Sequence, residues 1–383
     1  MIRVIFPCFW AVSRGLNVDF PLTLLILSSP NLQLRSRLTV VLEPLQEREE
    51  NVLSSVIHHY VASAKPVGSQ VIARGMDLSS ATVRNVLMEL EKKGYLTHPH
   101  TSAGRVPQDQ GYRFYVDRLM QARQLSLREK QQVEQEYEKS KDEVETLMRH
   151  TTKVLSAMTR LAGLAVFHVP EEISFDHFKL VAIDSRKVMV ILVLGHGLIK
   201  EELVLLDEPV QLKEVSKIAQ LLNSRFSGWT LAEIRTALLK EAETVKKTRL
   251  SVIETALKLI DGALHFDSDA IHMEGATHLM EQPEFKNYEK MEQLLRLVEE
   301  KKPLAQALGR QWTSPGLTVS IGHEFPEAFM RDFSFLHIPY YFQGKVIGAV
   351  GVLGPTRMAY DRVAGIVHFM ARQVESTLTK RGA

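Results

Sequence analysis

The sequence predicts an α+β protein of two or three domains, helical at the N-terminal end and mixed further on. Three observations predict it. The chain has 383 residues, which at roughly 100–200 residues per domain fits two or three domains. Between Leu53 and Leu90 the apolar residues recur at helical spacing. From residue 172 to 266, three strand-like apolar runs, among them "VMVILVLG", are followed by a run of helices, the order expected of an α+β unit.

Bulk properties exclude several function classes. Hydrophobic residues make up 45% and charged residues 24%, ordinary values for a globular protein. The net charge is +2, so any nucleic-acid footprint has to be local. The single cysteine, Cys8, rules out an internal disulfide or a thiolate metal cluster and fits a reducing compartment, the cytoplasm. No apolar run approaches the ~18–20 residues of a membrane span. Residues 1–41 are apolar but interrupted by Pro7, Pro21 and Pro30. Pro7 breaks the stretch that a signal peptide would need. This segment reads as a disordered extension or a start placed upstream, with translation beginning near Val40, Val41 or Leu42.

The first helix is expected from about Gln46 to Ala64, with Leu53, Val56, Ile57, Tyr60 and Val61 on its apolar side. "AKPVGS" breaks it, since Pro66 lacks a donor and Gly68 is permissive. A short second helix, Gln70 to Arg74, takes Ser69 as its cap, and a third takes Ser79 or Ser80. The third helix buries Val83, Val86, Leu87 and Leu90 and ends at Gly94. Such an arrangement matches a helix-turn-helix, and also a plain three-helix bundle. Two features favour the former: the second helix is very short, and the third presents Ala81, Asn85, Met88 and Lys92 opposite its core face, flanked by Thr82 and Arg84. Small and hydrogen-bonding residues at the N-terminal end of a helix suit a major-groove reader, because Asn and Arg bond adenine and guanine edges bidentately. Ser79, Ser80 and the helix N-terminus suit a phosphate. From Lys65 to Arg118 there are eight Lys/Arg against five Asp/Glu, a mild local excess.

After the third helix comes the strand-like "YLTHP" and the turn "SAGRVP". A winged helix places a hairpin here, with His100, Thr101, Ser102 and Arg105 as groove or phosphate contacts and Gly104 permitting close approach. His98 and His100 read more simply as surface histidines. The candidate DNA-binding set is Ser69, Gln70, Ser79, Ser80, Thr82, Arg84, Asn85, His100, Thr101, Ser102, Gly104 and Arg105. Beyond Pro107 a fourth helix turns Tyr112, Tyr115, Val116 and Leu119 to one side, as packing rather than base stacking, while Arg113 could still reach a phosphate. One long charged helix then links this region to the rest.

The remainder alternates strands and helices. "LAGLAVFHVP" reads as a strand, followed by three strands with turns at Asp184–Arg186 and Gly195–Gly197. Three helices follow, broken at Ser227–Gly228 and Thr244–Lys247. Further helices are expected at Glu284–Val298 and Leu304–Gly309, then a hairpin turning at Gln343–Gly344 and a terminal helix. "GKVIGAVGVLG" lacks nucleotide-binding spacing, so its glycines read as close strand contacts. His265, Asp267, Asp269, His272 and Glu274 form a polar cluster that reads as a domain junction ahead of a metal site. No nucleophile motif stands out. The chain is therefore expected not to be an enzyme and to carry no cofactor and no metal.

"PVGS", "SSATVRNVLMELEKKGYL", "PHTSAGRVP" and "GYRFYVD" closely resemble the heat-inducible transcription repressor family HrcA, and weaker similarity continues through "MEQPEF" and "VIGAVGVLGPTRMAY". The resemblance spans roughly Leu42 to Arg381. It implies a winged helix-turn-helix over 42–120 and a GAF-like domain over 121–171 and 267–383, with a dimerisation domain, 172–266, inserted into it. It further implies a homodimer that binds the inverted-repeat operator CIRCE and represses chaperone operons of the groE and dnaK type. Heat relieves this repression, and the chaperonin GroEL acts as modulator. The alternative function is a metabolite-responsive regulator using the GAF-like region as sensor.

Overall fold

The computed structural model describes residues 44–99, 104–138, 144–168, 172–195, 198–245, 247–264, 271–299, 304, 312 and 314–381. Helix α1 runs Glu47–Ser63. Its first turn carries Glu47, Glu49 and Glu50, the favourable sign at a helix N-terminus, and Glu49 accepts from the Gln46 backbone N–H at 2.8 Å. Helix α2 is Ser69–Ala73 and α3 is Ser80–Lys92. Gly68, not Ser69, is the cap residue of α2, and Ser79 caps α3 by accepting from Thr82 N–H at 3.1 Å. Gly94, at φ 79°, leaves α3 in the left-handed region that glycine allows. Val52, Val56 and Ile57 of α1 bury against Ile72 of α2 and Val83, Leu87 and Leu90 of α3. Each such side chain removed from water contributes about 1.5–3 kcal/mol.

The strand after α3 is shorter than expected: β1 is Leu96–Thr97 and pairs antiparallel with β2, Val106–Pro107. Helix α4, Asp109–Phe114, continues into a π-helical turn, Tyr115–Leu119. Tyr112, Tyr115 and Val116 are buried there, the packing role read from the sequence. The expected single charged linker helix is instead two, α5 (Leu127–Glu138) and α6 (Val144–Thr159). Their difference explains the misreading. The charge pattern of α5 masks an apolar stripe in α6, where Leu147, Met148 and Leu155 are buried.

A five-stranded antiparallel sheet forms the centre of the C-terminal half. Its strands are β3 (Ala162–Phe167), β7 (Ile271–Glu274), β8 (Thr318–Ile321), β9 (Phe333–Phe342) and β10 (Lys345–Pro355), in the order β7-β3-β10-β9-β8. The β9–β10 hairpin turns at Gln343 (φ 53°) and Gly344 (φ 75°), the paired positive φ of a two-residue hairpin turn. Gly348 lies so close to Val166 that a Cβ would sit 2.0 Å from its carbonyl oxygen, a strand contact as the sequence suggested. Helix α12 (Tyr360–Arg381) and α6 cover one face, fastened by Tyr340 Oη donating to Met148 Sδ of α6 at 3.3 Å and by the Ser334–Tyr360 hydroxyl pair at 2.7 Å. On the other face Phe333 stacks on Phe285, and Phe335 meets Trp312.

Strand β3 pairs with β7 from Gly163↔Glu274 to Val166↔Ile271, so the chain between them leaves this sheet and returns to it. The excursion holds a second sheet, β4 (Phe175–Ala182), β5 (Lys187–Leu194) and β6 (Leu198–Leu205), and helices α7 (Leu212–Phe226), α8 (Leu231–Thr244) and α9 (Lys247–Leu264). Further on, α10 is Ala276–Met280 and α11 is Tyr288–Glu299, starting four residues later than expected because Pro283–Phe285 forms a separate 3₁₀ turn. Of the polar cluster at the junction, His272 and Glu274 lie on β7, while His265, Asp267 and Asp269 are outside the described residues, as is most of the expected helix Leu304–Gly309.

Candidate nucleic-acid interface

The outer face of α3 is built by contrast with its core face. Ala81, Arg84, Asn85, Met88 and Lys92 are exposed, and among the described residues Arg84 makes no ion pair. Thr82 is half-buried, and its hydroxyl meets that of Ser79 at 2.8 Å. Ser69 and Ser80 share a hydroxyl contact of 2.9 Å, which fixes the crossing of α2 on α3. Gln70 and Val71 are exposed on α2 beside them. The result is a rigid helix whose N-terminal half offers an amide and a guanidinium to solvent, next to a cluster of hydroxyls.

The hairpin is fastened more tightly to the bundle than its sequence implied. Val67 and Arg105 exchange both backbone hydrogen bonds at 2.9 Å, adding a third extended segment beside β2. Gly104 sits against that bridge: a Cβ there would lie 2.5 Å from the Val67 carbonyl. The close approach that Gly104 permits is thus one within the chain. The Arg105 guanidinium is also engaged, its Nη2 2.7 Å from Glu91 Oε2, and the same carboxylate meets His98 Nδ1. Glu91 therefore ties both arms of the hairpin to α3. His100, Thr101 and Ser102 lie outside the described residues.

Arg113 does not reach outward. It is 8% exposed and donates through Nε to Glu324 at 2.6 Å, through Nη2 to Val319 O at 2.7 Å and also to Glu324, and through Nη1 to Asp117 at 3.2 Å. Burial works against its charge, but Glu324 and Asp117 outweigh it and raise its pKa above the ordinary arginine value. A phosphate role for Arg113 is corrected accordingly: its acceptors all belong to the chain. At the other end of α3, Lys93 holds Glu49 of α1 at 2.7 and 2.9 Å. Burial pushes the Glu49 carboxyl up, while Lys93 and the Gln46 N–H pull it down further, leaving it below the usual value.

Sequence reasoning missed Glu91, Glu324 and Arg357. Glu91 is one of two acids toward the C-terminal end of α3, a placement that by itself suits a solvated helix end. Arg113 and Glu324 stand 211 positions apart, and no local pattern links them.

The model of the HrcA protein C-terminal domain matches residues 145–364. A protein of Pelotomaculum thermopropionicum, the heat-inducible transcription repressor HrcA, is 35% identical over 88% of this chain and 97% of its own length. The protein of that name from Geobacter sulfurreducens is 34% identical over 87% of this chain and 98% of its own. This chain belongs to the HrcA family. A crystal structure of a hypothetical protein at 2.2 Å shares the fold, with a TM-score of 0.54 and 21% identity over 88% of this chain and the whole of the other. The HrcA match reaches well beyond the C-terminal domain, since relatives aligned over nearly their full length include α1 to α4 as well. No described helix is long and apolar enough to cross a membrane.

Proposed function

We propose that this HrcA-family repressor is a winged helix-turn-helix protein that binds, as a homodimer, the CIRCE inverted repeat upstream of chaperone operons of the groE and dnaK type. The observation that carries it is the exposed Arg84–Asn85 pair on a helix whose opposite face is locked by Val83, Leu87 and Leu90. Each of the two side chains can bond a base edge bidentately. Ser69, Gln70, Ser79, Ser80 and Thr82 serve the backbone of the same half-site, and His100, Thr101, Ser102, Gly104 and Arg105 form the wing. A phosphate would take Arg105 in competition with Glu91.

We assign the reading head to residues 42–120, a GAF-like domain to 121–171 and 267–383, and an inserted dimerisation domain to 172–266. The open face of the sheet β4-β5-β6 supports the last assignment. Val181, Ile183, Ile199, Leu203 and Leu205 are 39% to 69% exposed there, and Val181, Met189 and Leu203 stand in one cross-strand row. An apolar sheet face of this kind is an interaction surface, and a two-fold copy supplies a self-complementary partner. Two such heads read a palindrome on one side of the duplex. Acting in the cytoplasm, the dimer is brought to its active form by the chaperonin GroEL and loses activity when heat-unfolded clients occupy that chaperonin.

The test is titration of operator and scrambled DNA by fluorescence anisotropy, with and without GroEL. Arg84→Ala and Asn85→Ala are expected to lose preference for the operator, and removal of residues 1–41 to change nothing. Equal binding of operator and scrambled DNA by the unaltered chain sinks the proposal.

A further inference from the structure

Two segments that carry the family resemblance, "MEQPEF" and "GPTRMAY", lie outside the proposed reading head. The structure brings them together on the underside of the N-terminal bundle. Arg357 uses all three of its guanidinium nitrogens there. Nε donates to Glu284 Oε1 at 2.6 Å, and Nη2 to Glu284 Oε2 at 3.2 Å and to Gln282 Oε1 at 3.0 Å. Nη1 donates to the carbonyl of Val61 at 2.8 Å. Val61 lies in the last turn of α1, where carbonyls have no intrahelical donor and the helix dipole favours a cation. Helix α1 has no basic residue of its own in that turn. Arg357, 296 positions away, supplies it.

A second point of attachment lies at α4. Asp109 accepts from His323 N–H at 2.8 Å and meets His323 Nδ1 at 2.7 Å, beside the Arg113–Glu324 pair. Tyr112 packs its ring on Tyr360, with centroids 5.7 Å apart, between the two points. The chain leaving the bundle is held as well: Arg123 N–H donates to Asp361 O at 3.0 Å, and a Cβ on Gly365 would sit 1.9 Å from Arg123 O. Two ion-paired anchors, a ring contact and a strapped exit segment fix the orientation of the bundle, not only its attachment.

We propose that Arg357, with Glu284, is the positioning residue that holds the reading head at a set angle on the GAF-like domain, and thereby sets the half-site spacing the dimer accepts. It touches no DNA. In its DNA arm this inference rests on the operator reading above. A rigid pair of heads binds its second half-site at a high effective concentration only when the spacing matches, whereas loosened heads lose that gain and tolerate other spacings.

The experiment uses the full chain and a series of inverted repeats, with half-sites moved apart one base pair at a time through about half a helical turn. Wild type is expected to show a sharp affinity optimum. Arg357→Ala is expected to bind a single half-site within about twofold of wild type, to lose about tenfold at the optimum, and to show a flattened profile. Should Arg357→Ala lose its fold by circular dichroism, Glu284→Gln carries the same test. A DNA-free arm places spin labels at exposed Lys92 and Tyr288 in a Cys8→Ser background, diluted with unlabelled chain. The distance distribution should be narrow in wild type and broad in the variant. A sharp, unchanged profile in the variant overturns the proposal, and so does an equal loss on half-site and full site. If wild type itself shows no preference for the repeat while the label distances behave as stated, the operator reading fails and the clamp stands.

Discussion

Two faces of the N-terminal bundle meet arginines in opposite ways. On the outer face of α3, Arg84 is exposed and forms no ion pair among the described residues. On the face toward the five-stranded sheet, Arg113 and Arg357 give every guanidinium nitrogen to an acceptor in the chain. Residue type is the same, and the difference lies in what surrounds it. A guanidinium out of water is stable only where its charge is paired and its donors are used. One left in water keeps its donors available for a base edge or a phosphate. On the proposed reading, recognition and assembly fall on different faces of one small bundle.

The largest effect expected from that division is on stability. Arg113→Ala takes the cation from Glu324, which keeps only the Ile321 N–H, and the side-chain donor from the Val319 carbonyl, and should cost about 2–4 kcal/mol in chemical denaturation. Arg84→Ala should stay within about 0.5 kcal/mol of wild type in the same measurement. Equal losses from the two substitutions would erase the distinction between the faces.

The converse holds for DNA. Arg84→Ala and Asn85→Ala should each remove about 1–3 kcal/mol of discrimination between operator and mismatched sites, with the melting temperature unmoved. Loss of affinity that is uniform across sequences would mean that these side chains meet only phosphates.

A third kind of polar group sharpens the contrast, being buried and unpaired. His337 on β9 is fully buried, stacked on Phe335 with centroids 4.9 Å apart, and neither ring nitrogen has a partner among the described residues. Burial pushes its pKa down to about 3 from an ordinary 6.5. The folded state keeps this ring neutral while the unfolded chain takes up a proton below about 6.5. Its contribution is therefore complete above that pH and falls as the medium is acidified, by up to about 1.4 kcal/mol per unit. His337→Phe should flatten the acid limb of a stability-against-pH curve between 6.5 and about 3. An identical slope in both chains would show the ring is protonated in place.

How much of this was legible in the sequence follows from the range of each interaction. Helix α3, its Ser79 cap, its Gly94 terminus and its exposed Arg84 and Asn85 are set by neighbours three or four positions away, and periodicity reveals them. The β9–β10 hairpin is equally local. By contrast, the break between α5 and α6 was hidden because charge dominates the first and burial the second. Arg113 was open to misreading because its position on α4 is compatible with solvent, and only Glu324, from a distant 3₁₀ turn, decides otherwise. Arg357 carries no local sign of its role: it follows a strand and precedes α12, and its acceptors come from α1, from Gln282 and from the 3₁₀ turn Pro283–Phe285 that follows it.

Arg105 tests the boundary between the two uses, because it lies on the side proposed for recognition yet is paired. Its side chain is 20% exposed and held by Glu91, which also holds His98. If a backbone phosphate takes Arg105 from Glu91 on binding, the carboxylate opposes that exchange by attraction to the guanidinium and by repulsion of the phosphate. Glu91→Gln should then raise affinity for operator and scrambled DNA alike. It should also steepen the dependence of log K on log salt, and Arg105→Ala should make that dependence shallower by about one unit. The two variants move the slope in opposite directions only if the guanidinium meets phosphate. If both leave the slope unchanged and instead lower the amide protection of β1 and β2, Arg105 belongs with Arg113 and Arg357 as a fastener, and the sequence preference of the head rests on α3 alone.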